Sequence, residues 1–269
     1  MAHDDIILGS PAQAGAVRRA HALYRLIGHD PRFAFQGRTV SHVGLSDEAV
    51  AVTADIARLL GYASINFAPR EAAPDIAAAF QSAGLTPTGY DQYLGYGDAI
   101  EKSRAFLDAY ETPDGLELRQ VGADTPDATV RKIAQASLDR GVIPIPGSVM
   151  RGDTLRCSYL YVTDPAGDIV ASGGGVMCFH ADNPHATVAS WGMLATDPAW
   201  RGKRLACWVG AAAILDLATR FGATGFTTGV SADNPASQAM CTRLGVVRSD
   251  YVYAAALDPV LTGGKKLTR

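Results

Sequence analysis

The chain has 269 residues, 48% of them hydrophobic and 19% charged, with a formal net charge of -3. That is enough apolar material for one large or two modest domains, and a charge content below the roughly 25% average argues against long disordered tails. No global field draws such a chain to nucleic acid or to a membrane surface. The sequence has no uninterrupted apolar run of about 18 residues to span a bilayer, and Asp4 and Asp5 stand where a secretory leader carries Lys or Arg. The cytoplasm is the expected location.

The N-terminal half reads as α/β. Residues 12–27 have helical spacing, "RTVSHVGL" (38–45) reads as a strand, 47–60 as a helix and "ASINFA" (63–68) as a strand. Residues 74–82 form a short helix ending before Gly84, "TPTGYDQYLG" (86–95) is extended, and 100–110 is a helical linker that the turn residues Pro113, Asp114 and Gly115 interrupt.

The C-terminal half is clearer. "GLELRQV" (115–121) alternates as a strand, 124–140 is a helix with Gly141 as its stop, and two strands flank the turn Asp164-Pro165-Ala166-Gly167. "ATVASWGMLAT" (186–196) is a strand, 204–221 a helix closed by Gly222, and "GFTTGVSA" (225–232) a strand. "NPASQAMCTRL" (234–244) is a short helix closed by Gly245, and "VVRSDYVYAAAL" (246–257) a last strand. The order β-α-β-β-β-α-β-α-β predicts a mixed sheet with helices on its faces. At an offset of 161, Gly84 falls on Gly245, Leu85 on Val246 and Tyr90 on Tyr251. Duplication and shared α/β punctuation both account for those matches.

The chemistry concentrates in "DPAWRGKRLACWVGAAA" (197–213), where three cations run directly into an apolar, Ala-rich helix. The first turn of a helix has unpaired amide donors and a partial positive charge, so it receives anions, phosphate above all. Gly202 permits close backbone approach. Lys203 and Arg204 add full charges, and Pro198 ends the strand before them.

These residues resemble the cofactor motif of the GCN5-related N-acetyltransferases, Arg/Gln-x-x-Gly-x-Gly/Ala, written here as Arg201-Gly202-Lys203-Arg204-Leu205-Ala206. "VSADNPASQAMCTRLG" resembles that family's later strand and helix, with Asn234, Ser237 and Gly245 in place. The resemblance covers about 115–258. It implies an acyl-coenzyme A N-acyltransferase fold over residues 113–269 and leaves residues 1–112 as an α/β domain, a candidate degenerate second copy. That first half lacks the cationic run and has Ala73 where the offset places Asn234.

The resemblance also implies roles. Leu194, Ala195 and Thr196 would splay from the neighbouring strand and pair with the pantetheine arm. The amides from Gly202 through Cys207 would hold the pyrophosphate, Asn234 the arm and Ser237 the phosphate end. A deprotonated amine would attack the thioester of acetyl-coenzyme A, with an amide near Leu194 or Ala195 for the oxyanion.

Three positions depart from the family pattern. Arg204 replaces the central Gly, Cys241 stands where many relatives have an acid Tyr, and Gly229 stands where some have a base Glu. Cys241 is either the general acid or inert packing beside Met240. With Cys157, Cys178 and Cys207 it has no CxxC spacing, which reads as buried reduced thiols rather than a disulfide frame or zinc site.

Ser190, Trp191, Tyr159, Tyr161, Tyr251 and Tyr253 are on strands that could face an acceptor, although each such residue is more often a core or edge residue. His180 and His185 bracket a loop expected to be solvated, with no metal. "SGGGV" (172–176) reads as a bulge or a close backbone contact rather than a phosphate loop. The sequence thus predicts an acetyl-coenzyme A-dependent N-acetyltransferase acting on the primary amine of a small molecule or peptide, with no nucleic acid or membrane partner and room for a homodimer. Two rivals stay open: a non-catalytic acyl-coenzyme A sensor or regulatory module, and a partner-binding protein whose motif has decayed.

Overall fold

The computed structural model describes residues 5–263. Asp4 lies outside them; Asp5 accepts from the amide of Ser148 at 2.9 Å. The elements in order are α1 (Pro11–Ile27), β1 (Phe33–Phe35), β2 (Val40–Val43), α2 (Ala49–Leu60), β3 (Tyr62–Pro69), α3 (Ala73–Ser82), β4 (Thr86–Gly95) and α4 (Gly97–Ala109). There follow β5 (Glu117–Gln120), α5 (Asp127–Asp139), α6 (Gly147–Met150), β6 (Cys157–Thr163), β7 (Ile169–Met177), β8 (Val188–Thr196), α7 (Leu205–Phe221), β9 (Gly225–Val230), α8 (Pro235–Arg243), β10 (Val247–Leu257) and α9 (Pro259–Thr262). The expected elements are all present. The sequence reading missed β1, α6 and α9, which at three or four residues are too short to show a period. Among the described residues no helix is long and apolar enough to cross a membrane.

All ten strands form one mixed sheet in the order β1-β2-β3-β10-β4-β9-β8-β7-β6-β5. The two halves exchange their last strands. β4 lies antiparallel on β9 of the second half, and β10 lies antiparallel on β3 of the first. The residue boundary at 112 therefore falls between α4 and β5, while the sheet runs on without a break. The faint repeat is a structural one: Leu60 and Phe221 end α2 and α7, Pro69 and Val230 end β3 and β9, Ser82 and Arg243 end α3 and α8, and Thr86 and Val247 begin β4 and β10, each pair at the same offset of 161.

Helices cover both faces of the sheet, so its central strands are buried on both sides. Residues of α1, α2 and α5 join one apolar cluster, and residues of α4 and α7 a second. α7 holds more buried residues than any other helix among the described residues, and Leu205, Val209, Ala211, Ala213, Ile214 and Leu217 are all at most 1% exposed. The triple glycine in β7 serves close contact, since a Cβ at Gly174 would lie 2.0 Å from the carbonyl oxygen of Ser158. All four cysteines are free and buried.

The loop 180–186 departs in part from the sequence reading. Ala181, Asp182 and Pro184 are exposed, but the loop is docked through His185 and Asn183. His185 stacks on Phe67 with ring centroids 3.6 Å apart, and Asn183 donates to the carbonyl of Pro31 at 2.6 Å. Aromatic contact with the first half is a tertiary feature that the polar sequence of the loop conceals.

Candidate functional site

The site begins where two parallel strands part. β8 pairs with β9 only at Val188–Gly225, Ala189–Phe226 and Ser190–Thr227; beyond Ser190 the strands diverge. On its other edge β8 stays on β7 as far as Thr196, and the amide of Asp197 donates to Val170 at 2.9 Å. Amides alternate between the two edges of a strand, so Thr196 and Leu194 turn theirs to the opening and Ala195 turns its own to β7. A bulge marks the point of divergence: the β7–β8 register shifts between Ser172 and Gly174, and Met193 has φ of 55°. Bulges of this kind re-aim a strand's groups beside active sites.

The turn into α7 supplies the donors. Asp197 caps the turn 198–200 by accepting from the amide of Ala199 at 2.9 Å, and Arg140 grips the same carboxylate at 2.7 Å. That guanidinium and the capping bond hold the Asp197 carboxyl below its ordinary pKa. Gly202 (φ 80°) and Arg204 (φ 59°) are both left-handed. Arg204 is the N-cap of α7 and gives no side-chain cap, so the first helical bond is Trp208 to Arg204 at 3.0 Å. Among the described residues, none of the amides from Gly202 to Cys207 reaches an acceptor. Arg201 and Arg204 are exposed and make no ion pair among the described residues. α4 braces the turn from behind, where the hydroxyl of Tyr110 donates to the carbonyl of Lys203 at 2.8 Å.

α8 closes the site. Asn234 is its N-cap and accepts from the amide of Ser237 at 3.1 Å, which leaves the Asn234 amide hydrogens for a ligand. Together these parts enclose a cavity of about 460 Å3. Its walls include ten of the twelve expected residues: Leu194, Ala195, Thr196, Arg201, Gly202, Arg204, Leu205, Ala206, Asn234 and Ser237. The other two are not in its walls. Lys203 lays its ammonium over the ring of Trp200 at 4.3 Å, and Cys207 is buried. Arg140, Trp200 and Met240 also line the cavity and were not foreseen. Cys241 does not line it. It is 1% exposed in the core around α7, and burial beside Cys207 raises its thiol to about 12.

A second cavity, of about 170 Å3, is also lined by residues of β8. Met193 lines the second and Leu194 the first, so two consecutive residues separate them. Both halves build it: Gln36, Arg38, Thr39, Tyr62, Ser64 and Tyr90 from one, Ser190, Trp191, Met193, Thr228, Gly229 and Tyr253 from the other. Ser190, Trp191 and Tyr253 were expected at the acceptor. Tyr159 and Tyr161 belong to the core instead, and Tyr251 lies at the surface edge-on to Phe67.

Gly229 makes room for the tyrosines. A Cβ there would sit 3.2 Å from ring atoms of Tyr253 and 3.2 Å from Cβ of Tyr90. The space that a Glu would need is filled by phenol rings. The hydroxyl of Tyr253 lies 3.0 Å from that of Thr227, which itself accepts from Gln92 at 2.9 Å. Thr227 is fully buried, and the Tyr253 oxygen is the one acceptor its own hydrogen reaches among the described residues. When Thr227 spends its hydrogen on the Tyr253 oxygen, the Tyr253 proton is left for the cavity that this residue lines. Burial raises the pKa of this phenol, which stays protonated throughout the neutral range.

No protein-family model matches this chain, and no curated protein matches it in sequence. Solved structures do. A GCN5-related N-acetyltransferase from Kribbella flavida superposes with a TM-score of 0.56 at 16% identity, covering 91% of this chain and 95% of its own. A tandem GNAT protein from the clavulanic acid biosynthesis pathway gives 0.53 at 16% identity, over 77% of this chain and 68% of its own. A Drosophila protein gives 0.51 at 18% identity, over 82% and 71%. At such identities the likeness establishes the fold. This chain has the fold of the GCN5-related N-acetyltransferases, and a tandem protein is among those that share it.

Proposed function

We propose that this chain, built on the fold of the GCN5-related N-acetyltransferases, transfers an acetyl group from acetyl-coenzyme A to the primary amine of a small acceptor. One observation carries the reading: six consecutive amides without acceptors, at the head of a buried helix, beside a strand that has parted from its neighbour. That is the donor set a diphosphate needs. Arg201 and Arg204 add charge at the phosphates. Thr196 and the Asn234 amide meet the pantetheine arm, and Ser237 the phosphate end. When bound, the coenzyme supplies an activated acyl carbon and a thiol leaving group.

The acceptor occupies the cavity between the halves. The Leu194 amide faces the gap at the bulge and stabilises the charge that develops on the acyl oxygen; one such donor is worth about 10²–10³ in rate. Tyr253 lends its free proton to the departing sulfur. No Asp or Glu lines either cavity, so the amine enters neutral or gives its proton to water. Cys241, facing the core, has no part in this scheme. In the first half Asp47 and Glu48 stand before α2 in place of the cations, and α3 begins with no side-chain cap at Ala72. Carboxylates at that position repel phosphate, so one coenzyme binds per chain.

Thermal shift with acetyl-coenzyme A, combined with thiol release over a panel of amines, tests the reading. Saturation at about 100 times the dissociation constant adds about 2.7 kcal/mol of stability, and at least one amine releases thiol. The missing carboxylate base favours a second reading, an acyl-coenzyme A sensor, which predicts binding with no thiol released. Absence of any shift sinks both.

A further inference from the structure

Arg38 has no counter-ion among the described residues. It stands in the turn between β1 and β2, donates to the carbonyl oxygen of Ile143, and bonds no other acceptor among the described residues. A guanidinium has five N–H donors, so four remain. It is the one charged side chain in the wall of the second cavity. The groups around it are the phenols of Tyr62, Tyr90 and Tyr159, and burial raises those of Tyr62 and Tyr159, so neither is an anion at neutral pH.

Arg38 is only partly buried, so its remaining donors stay open to the cavity, and an arginine keeps its charge there because it cannot lose its proton. The turn holds it firmly. Gln36 bonds the carbonyl of Thr39 through its amide at 3.1 Å, and its side-chain oxygen accepts from the hydroxyls of Thr39 and Ser41 at 2.9 and 3.0 Å. Gly37 (φ 82°) packs the turn against Ile145. A rigid fork of donors, aimed into a cavity without anions, is a receptor for a carboxylate.

We propose that Arg38 binds a carboxylate of the acceptor, so that the substrate is a small amine carrying its own carboxylate, an amino acid in type. The amine half of this statement rests on the transferase reading; the anion half rests on Arg38 alone. Size agrees, because a cavity of about 150 Å3 holds a molecule the size of benzene and this one is about 170 Å3. A polyamine would meet an unshielded cation and no carboxylate. The position also suits the reaction, since Arg38 shares its cavity with Met193, the residue beside the cofactor site.

The test uses the full chain and matched compounds: α-amino acids, β-alanine, their carboxamides, the amines lacking the group, and an aminoalkyl phosphate. Thiol release should favour the acids over their carboxamides by about 10² or more in kcat/KM. Arg38→Gln should erase that preference, chiefly through KM. Arg38→Lys should restore part of it. Melting curves confirm that each variant folds.

Equal turnover of acids and carboxamides overturns the proposal, as does a loss in Arg38→Gln that falls on both alike. Preference for the aminoalkyl phosphate overturns the carboxylate. Binding of N-acetylated amino acids and their carboxamides, read by calorimetry on the coenzyme-loaded protein, decides the matter if no amine is turned over. Acid-selective binding that Arg38→Gln removes supports the anion site, even with the transferase reading lost; unselective binding overturns it.

Discussion

Asp91 in β4 pairs directly with Val252 in β10, and these two residues are 161 positions apart, the offset of the internal repeat. The approximate two-fold axis that relates the halves therefore passes between them. Each half completes its sheet with the other's last strand, so neither can be removed whole.

Residues 113–269 expressed alone should fail to fold as a monomer, because β9 loses its neighbour β4 and β10 loses β3. Exposed edges of that kind associate. Size-exclusion chromatography and far-UV circular dichroism should show aggregated or unfolded material, rescued when residues 1–112 are supplied in trans. A soluble, cooperatively melting C-terminal fragment would contradict the strand exchange.

Arg204 carries two opposed effects. Its left-handed backbone costs about 1 kcal/mol or more in any residue but glycine, while its charge faces the phosphate site. Arg204→Gly should raise the melting temperature by about 2–4 °C, loosen coenzyme binding several-fold, and flatten the salt dependence of that binding. An unchanged dissociation constant with the same salt dependence would show that the guanidinium does not meet the coenzyme.

Tyr253→Phe keeps the ring against Gly229 and removes the proton. General-acid groups contribute about 10²–10⁴, so kcat should fall by at least about 10²-fold with coenzyme affinity unchanged. The raised phenol gives a second check: Tyr253 should impose no loss of wild-type activity between pH 7 and 9. A fall in KM or in stability alone, with kcat preserved, would assign Tyr253 to packing.

Asp197 ties the coenzyme turn to α5 through Arg140. Its pKa is depressed in the folded state by that guanidinium, so the stabilisation it gives is complete above the unfolded value of about 3.9 and is lost as pH falls through the lower folded value. Melting temperatures of the wild type and Asp197→Asn should differ by a constant amount from pH 7 to 5 and converge below about pH 4. A gap that persists in acid would mean that the carboxylate's charge is not what holds the turn.

The residues that line the first cavity were largely legible in the sequence because they are local. A strand that stops at Pro198, a left-handed turn and the head of an Ala-rich helix follow each other within about a dozen residues, and unpaired amides come with any helix start. β4 was legible for the same reason, its ends at Thr86 and Gly95 matching the extended stretch between two glycines. Cys241 was not: its place on α8 is set by a helix period, but whether that face meets the cavity or the core depends on how α8 packs.

Sequence alone determined the longer elements, the mixed α/β class and a cationic turn at the head of an apolar helix, since each follows from backbone sterics and hydrogen bonding among near neighbours. Tertiary structure decided the strand exchange, the docking of His185 on Phe67 and the placing of Arg38 and Met193 in the wall of one cavity. Those depend on which sheet edges and faces find one another. A strand's edge offers the same donors and acceptors to any partner, so only the packing of the whole chain chooses between them.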